Sequence, residues 1–218
     1  MNNRLKKTWL EWRGVIVFFL LIVFFRSSIA NWYGVPTASM NPAILEGDRI
    51  FVNLLAYDAK VPFTNFNLGK LGEPRRGDIV VFYSPEDGTR LVKRLIGIPG
   101  DSIAMRNDRL FINGEWAEYQ PNQAATDARV LLRENVAGSA QTIYLTPQKH
   151  TLRDFGPIKI PENNYLFMGD NRNNSRDSRY FGLVNRELLI GRANTVLISL
   201  DPENYYLPRG GRIFHTLK

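Results

Sequence analysis

Residues 90–101 read Arg90-Leu91-Val92-Lys93-Arg94-Leu95-Ile96-Gly97-Ile98-Pro99-Gly100-Asp101, a short apolar run closed by Pro-Gly. Such a run predicts a strand over residues 90–98. Alternation with a period of two puts Leu91, Lys93 and Leu95 on one face and Val92, Arg94 and Ile96 on the other. Similar runs, rich in Val, Ile and Phe and separated by Gly, Pro and Asn, lie at 49–54, 78–83, 109–112, 164–168 and 189–199. No amphipathic helical stretch of comparable strength competes. Asn113-Gly114, before Trp116, is a two-residue hairpin signal because both residues tolerate positive φ. The expected fold class is mainly β.

The chain has 218 residues, with 28 Lys and Arg against 21 Asp and Glu, a net charge of +7. At 44% hydrophobic and 22% charged residues it has a globular composition, not that of a disordered or collagen-like chain. It has no cysteine, which excludes a disulfide scaffold, a zinc ribbon, an iron–sulfur cluster and a thiol nucleophile. The only histidines, His150 and His215, cannot form a multi-histidine metal site. Basic residues are scattered among acidic ones without a nucleic-acid-binding signature, so no nucleic acid is expected as a partner.

Part of the positive charge is in the leader, where Arg4, Lys6, Lys7 and Arg13 precede the apolar run of residues 15–25. Eleven residues are too few to cross a hydrocarbon core, which takes about 20 in a helix. The flanking aromatics extend the run. Trp9 and Trp12 lie before it and Trp32 and Tyr33 after it, and a helix from Trp9 to Trp32 is about 35 Å long. The expectation is an uncleaved transmembrane anchor over 9–33, after a basic N-terminus at 1–8, with Arg13 and Arg26 snorkelling to the headgroups. The excess of basic residues before the run places the N-terminus in the cytoplasm and the rest outside. Ser28-Ile29-Ala30 also has the small-x-small spacing of a signal-peptide end, so a cleavable leader ending at Ala30 is the competing reading.

Three segments carry candidate chemistry. In Val35-Pro36-Thr37-Ala38-Ser39-Met40-Asn41-Pro42 two prolines hold Ser39 out of any regular helix, in the fixed exposure a nucleophile needs, although serine between prolines is also ordinary loop material. In the opening run, if the Lys93 face is buried, desolvation disfavours the ammonium form and the neutral amine can act as a general base. The bland alternative is a lysine whose stem packs while its head reaches water. The third segment, residues 169–182, is Gly169-Asp170-Asn171-Arg172-Asn173-Asn174-Ser175-Arg176-Asp177-Ser178-Arg179-Tyr180-Phe181-Gly182. It fails the calcium-loop pattern, since Arg172 stands third and no Gly sixth, and reads as a scaffold of Asp–Arg pairs. In it Ser175 is placed to donate a hydroxyl to Lys93. Without cysteine, and with both histidines outside these segments, Ser39 and Lys93 form the remaining natural hydrolase pair.

Ser39-Met40 between Pro36 and Pro42, then Lys93-Arg94-x-x-Gly97-x-Pro99-Gly100-Asp101, then Gly169-Asp170-Asn171-x-x-x-Ser175-x-Asp177-Ser178-Arg179, in this order behind an anchor, resemble the bacterial type I signal peptidases. The resemblance extends over most of 35–101 and 166–193. It implies a membrane-tethered endopeptidase that cuts signal peptides from exported preproteins on the outer face of the cytoplasmic membrane, with no cofactor or metal. It implies Ser39 as nucleophile, Lys93 as general base, and Thr37 with the Ser39 N–H as oxyanion hole. It also implies that Ser175 orients the lysine, that Asp177 and Arg179 form a supporting ion pair, and that Arg94, Gly169 and Asp170 support the site. The implied fold is an antiparallel β core, here 34–101 and 162–218, interrupted by a variable β module at 102–161. Thr37 stands where many members have serine and Ala43 where many have threonine, and the module is short and lacks a cysteine pair.

Signal peptides end in an A-x-A pattern, so two shallow apolar pockets are expected, with Val35, Pro36, Met40, Ile44 and Val92 as candidate walls. The expected partners are signal peptides and the lipid bilayer, with a transient contact to the translocase. A self-cut after Ala30 is a further expectation. The rival readings are a non-catalytic anchored or secreted β binding domain, and a peptidase dedicated to one secretion or conjugation substrate.

Overall fold

The computed structural model describes residues 3–64, 66–121, 130–146 and 151–217, with side chains from residue 9 onward. His150 lies outside these residues, as do the side chains of Arg4, Lys6 and Lys7. Helix α1 (Asn3–Ser28) opens the chain. It stops short of the expected Trp32, which lies in strand β1 (Ala30–Gly34). The cause is long-range: β1 pairs residue by residue with β2 (Asp48–Asn53). The Arg26 guanidinium holds the corner, lying 3.9 Å over the Trp32 ring and donating to Asn31 Oδ1 at 3.0 Å. Ala30 is buried and paired with Asn53, so the bond expected to be self-cut is tied into a sheet. Among the described residues no helix is long and apolar enough to cross a membrane. Yet the α1 side chains from Trp9 to Phe25 include a run of exposed large hydrophobics, with Leu20 and Leu21 each 62% exposed.

Beyond β2 come β3 (Asp58–Lys60) and β4 (Asn67–Lys70), which form a separate hairpin, then β5 (Ile79–Tyr83) and β6 (Arg90–Gly97). Strands β7 (Ser102–Arg106), β8 (Arg109–Ile112), β9 (Glu115–Trp116), β10 (Glu118–Pro121), β11 (Val130–Val136), β12 (Ser139–Leu145) and β13 (Phe155–Lys159) build two small sheets. The chain then returns through β14 (Asn164–Met168), helix α2 (Ser178–Phe181), β15 (Val184–Asn185) and the long β16 (Leu189–Asp201). Two short strands, β17 (Leu207–Pro208) and β18 (His215–Thr216), pair with β16. The main sheet runs β1-β2-β16-β5-β6-β14-β15, and all its pairings are antiparallel. The fold is thus mainly β, as the punctuated runs predict.

The Asn113-Gly114 turn has φ of 52° and 93°, the left-handed pair that a tight hairpin needs, and it joins β8 to β9. Strand β6 is central and buried on both sides. Leu95 packs with Phe82 and Phe167 in one cluster, while Ile96 packs with Ile103, Leu110 and Leu166 in another. Because that second cluster also takes residues from β7 and β8, the small sheets share a core with β6 and β14. A third cluster, with Met40, Ile44, Ile50 and Val81, lies under the segment that carries Ser39.

Candidate active site

Ser39 sits in a single tight turn, Ala38–Met40, entered through extended Thr37 at φ −132° and ψ 152°. Pro36 and Pro42 keep this segment from extending into a helix. Met40, fully buried, pegs the turn to the core below. From the other side Asn171 clamps its backbone, donating from its N–H to Ser39 O and from Nδ2 to Ala38 O, both at 3.1 Å. Gly169 makes this approach possible, since a Cβ there would meet Ser175 Oγ at 2.3 Å and Ser39 O at 2.5 Å.

Register carries Lys93 to the same point. It stands opposite Val80 in the β5–β6 pair, and its Nζ lies 2.6 Å from Ser39 Oγ. Thr37 Oγ1 is 3.3 Å from the same hydroxyl. Lys93 is 3% exposed, and burial pushes its amine down to about 8, against the opposing pull of Asp177 and Asp170 and with a smaller downward push from Arg179. A neutral amine at hydrogen-bond distance from a serine hydroxyl is placed to accept its proton.

Two buried ion pairs frame the lysine. Arg94 meets Asp170 with two hydrogen bonds, at 2.8 and 2.7 Å, and donates to Gly77 O at 2.9 Å. Arg179 meets Asp177 likewise, at 2.7 and 2.8 Å, and Asp177 accepts from the Gly169 N–H at 3.0 Å. The pairs therefore hold the Gly169-Asp170-Asn171 turn that holds Ser39. Ser175 is nearby, but no hydrogen bond joins it to Lys93: its Oγ is buried without a partner beside Gly169. Among the described residues no group of three or more His, Cys, Asp or Glu is placed to hold a metal ion.

A cavity of about 100 Å³ opens beside Ser39 and Lys93, walled by Val35, Pro36 and Val92 together with Tyr33, Ile50, Val81 and Leu91. Met40 and Ile44, expected as walls, do not line this cavity and are instead fully buried in the core cluster beneath. Ile50 and Val81 were legible only as strand residues, since pocket walls and core share one alternation pattern. Asn171 carried no signal of its own role, because it acts on backbone carbonyls, which have no residue type.

Residues 8–198 match the family model described as signal peptidase, peptidase S26. A protein of Bacillus subtilis subsp. natto named signal peptidase I P is 36% identical over 92% of this chain and 95% of its own length. Signal peptidase I of Pseudomonas fluorescens is 33% identical over 90% of this chain and 75% of its own, and signal peptidase I S of Bacillus subtilis strain 168 is 36% identical over 89% and 92%. With a family match over most of its length and relatives of this identity on nearly whole chains, the chain belongs to the signal peptidase family, peptidase S26.

Proposed function

We propose that the chain is a membrane-anchored serine endopeptidase that removes signal peptides from exported preproteins, with Ser39 as nucleophile and Lys93 as general base. The observation that carries this reading is the 2.6 Å contact between Lys93 Nζ and Ser39 Oγ in a buried site. Neutral Lys93 takes the Ser39 proton as Oγ attacks the scissile carbonyl. The Thr37 hydroxyl and the Ser39 N–H receive the developing oxyanion. Lys93 returns the proton to the leaving amine, then activates the water that frees the acyl-enzyme. Thr37 keeps its hydroxyl on a β-branched, rotamerically stiff side chain, which favours a fixed donor. Ser175 serves as a packing partner of Gly169 in the resting enzyme. Arg94, Asp170, Asp177 and Arg179 act by position. No cofactor enters these steps.

The small cavity suits short side chains such as the alanines of an A-x-A site, with Val35, Pro36 and Val92 as specificity walls. The apolar side chains that α1 exposes support its role as the anchor, with Arg26 and the flanking tryptophans at the membrane boundaries and the N-terminus in the cytoplasm. The β core at 34–101 and 162–218 then lies outside, interrupted by the module at 102–161, and receives preproteins as they leave the translocase.

Detergent-purified full chain should cut a preprotein immediately after the last alanine of an A-x-A site, as read by N-terminal sequencing of the product. Because the base works only without its proton, kcat/KM should rise about tenfold per pH unit up to about 8 and level off above it. At pH 6 it should be about 100-fold below the plateau. A flat profile from pH 6 to 9 contradicts Lys93 as base.

A further inference from the structure

A second cavity of about 600 Å³ lies at the foot of α1, walled by Arg26 and Ser28 from the helix, Lys60 and Phe63 from the β3–β4 hairpin, and Tyr33 and Tyr83 from the main sheet. It adjoins the Ser39 cavity. Tyr33 lines both, and the Arg90 guanidinium, a wall of the smaller one, stacks 3.9 Å over the Tyr33 ring at the threshold. On β5, Tyr83 lines the larger cavity and Val81 the smaller, so the two openings follow one another along that strand.

The charge of this path is one-sided. Arg26 and Lys60 line the larger cavity and Arg90 the smaller, where Lys93 is the base, and among the described residues no Asp or Glu lines either. Arg26 is bonded to the neutral amide of Asn31, and Lys60 Nζ donates to Leu189 O at 2.6 Å. Asp58 and Glu187 are the acidic groups that reach Lys60, and the Asp58 carboxylate is engaged by Arg186 at 3.0 Å. Among the described residues none of Arg26, Lys60 and Arg90 forms a salt bridge with a protein carboxylate. Ser28 Oγ, on the same wall, is a buried hydroxyl without a hydrogen-bond partner.

We infer that this cavity receives the signal-peptide residues upstream of the A-x-A site, from about the fourth before the cut outward, and that its cations select against basic side chains there. The inference rests on the peptidase reading above. The direction follows from the substrate: the residues before the cut continue into an apolar segment held in the membrane, and the larger cavity is the one walled by the exposed apolar helix. A lysine in that stretch meets Arg26 and Lys60, while of the acids that reach Lys60 Asp58 is already engaged by Arg186 and neither Asp58 nor Glu187 lines the cavity. A glutamate meets the same cations as partners, and a neutral polar residue meets neither effect.

Three preproteins that differ only in Lys, Gln or Glu at the fifth residue before the cut separate the possibilities, with the full chain in phosphatidylcholine vesicles at low salt. The expected order of kcat/KM is Glu above Gln above Lys, with Lys about fivefold below Glu. Raising the salt from about 50 to 500 mM should compress the range in the wild type, without relying on the folding of any variant. The double variant Arg26→Gln/Lys60→Gln should remove the order. Equal rates on all three preproteins overturn the inference and leave the peptidase reading standing, whereas wild type that cuts none of them overturns the peptidase reading itself. An effect that appears only when phosphatidylglycerol is added, and is the same for all three preproteins, assigns the cations to lipid headgroups and also overturns it.

Discussion

Lys93→Met should abolish turnover and at the same time stabilise the fold at neutral pH. The amine is buried at 3% exposure, and its value of about 8 lies below the ordinary 10.5. A base with a depressed folded-state value binds fewer protons in the folded chain than in the unfolded one between pH 8 and 10.5. Stability therefore rises with pH through that window, and below it the full cost of the buried ammonium is present, about 3 kcal/mol. Methionine fills the same space without charge, while Asp170 and Asp177 keep their arginines. The expected result at pH 7 is a kcat lower by about 10⁴-fold or more and a Tm about 6 to 12 °C higher. The gain in Tm should shrink toward pH 10. A variant both inactive and less stable at pH 7 contradicts this and makes Lys93 a structural residue. Packing changes little in this exchange, since Met and Lys have similar volume.

Asp170→Ala should cost far more than the loss of a surface ion pair. Arg94 and Asp170 are 2% and 1% exposed, and without the carboxylate the guanidinium stays buried with Gly77 O as its remaining hydrogen-bond partner. Leaving a buried cation unpaired costs about 3 to 5 kcal/mol. The Arg176–Glu86 pair, with side chains 64% and 47% exposed, is the control: Glu86→Ala should leave stability nearly unchanged. Urea denaturation of the two variants checks the difference. Asp170 O also accepts from the Tyr144 N–H at 2.9 Å, and Asn171 next to it clamps Ser39, so activity should fall even where the variant remains folded. Equal stability losses in the two variants would show that the buried pair holds nothing.

Strands β2, β5, β6, β8, β14 and β16 were legible because short runs rich in Val, Ile and Phe and Gly, Pro and Asn punctuation are local properties, and the Asn113-Gly114 hairpin needed only its own two residues. The end of α1 was not. Trp32 suits a membrane interface and a strand equally, and pairing with β2, far along the chain, decides between them. The two-faced burial of β6 was hidden for the same reason: alternation names faces but not what covers them. In the site, residue chemistry pointed to Ser39 and Lys93, while their 2.6 Å approach across 54 positions comes from the turn and the strand register. Between Val35 and Ile44 no periodicity exists, so pocket walls could not be told from core, and Met40 and Ile44 fell on the core side. Ser175 shows the limit of pairing hydroxyl with amine by type alone, since its hydroxyl lies against Gly169.

The central claim is that the Ser39 hydroxyl, activated by Lys93, cuts the preprotein. It is tested most directly by incubating an A-x-A preprotein with wild type, Ser39→Ala and Lys93→Ala, each shown folded by circular dichroism, and sequencing the product. Cleavage after the last alanine by wild type alone is the predicted result. Cleavage at undiminished rate by folded Ser39→Ala would contradict it.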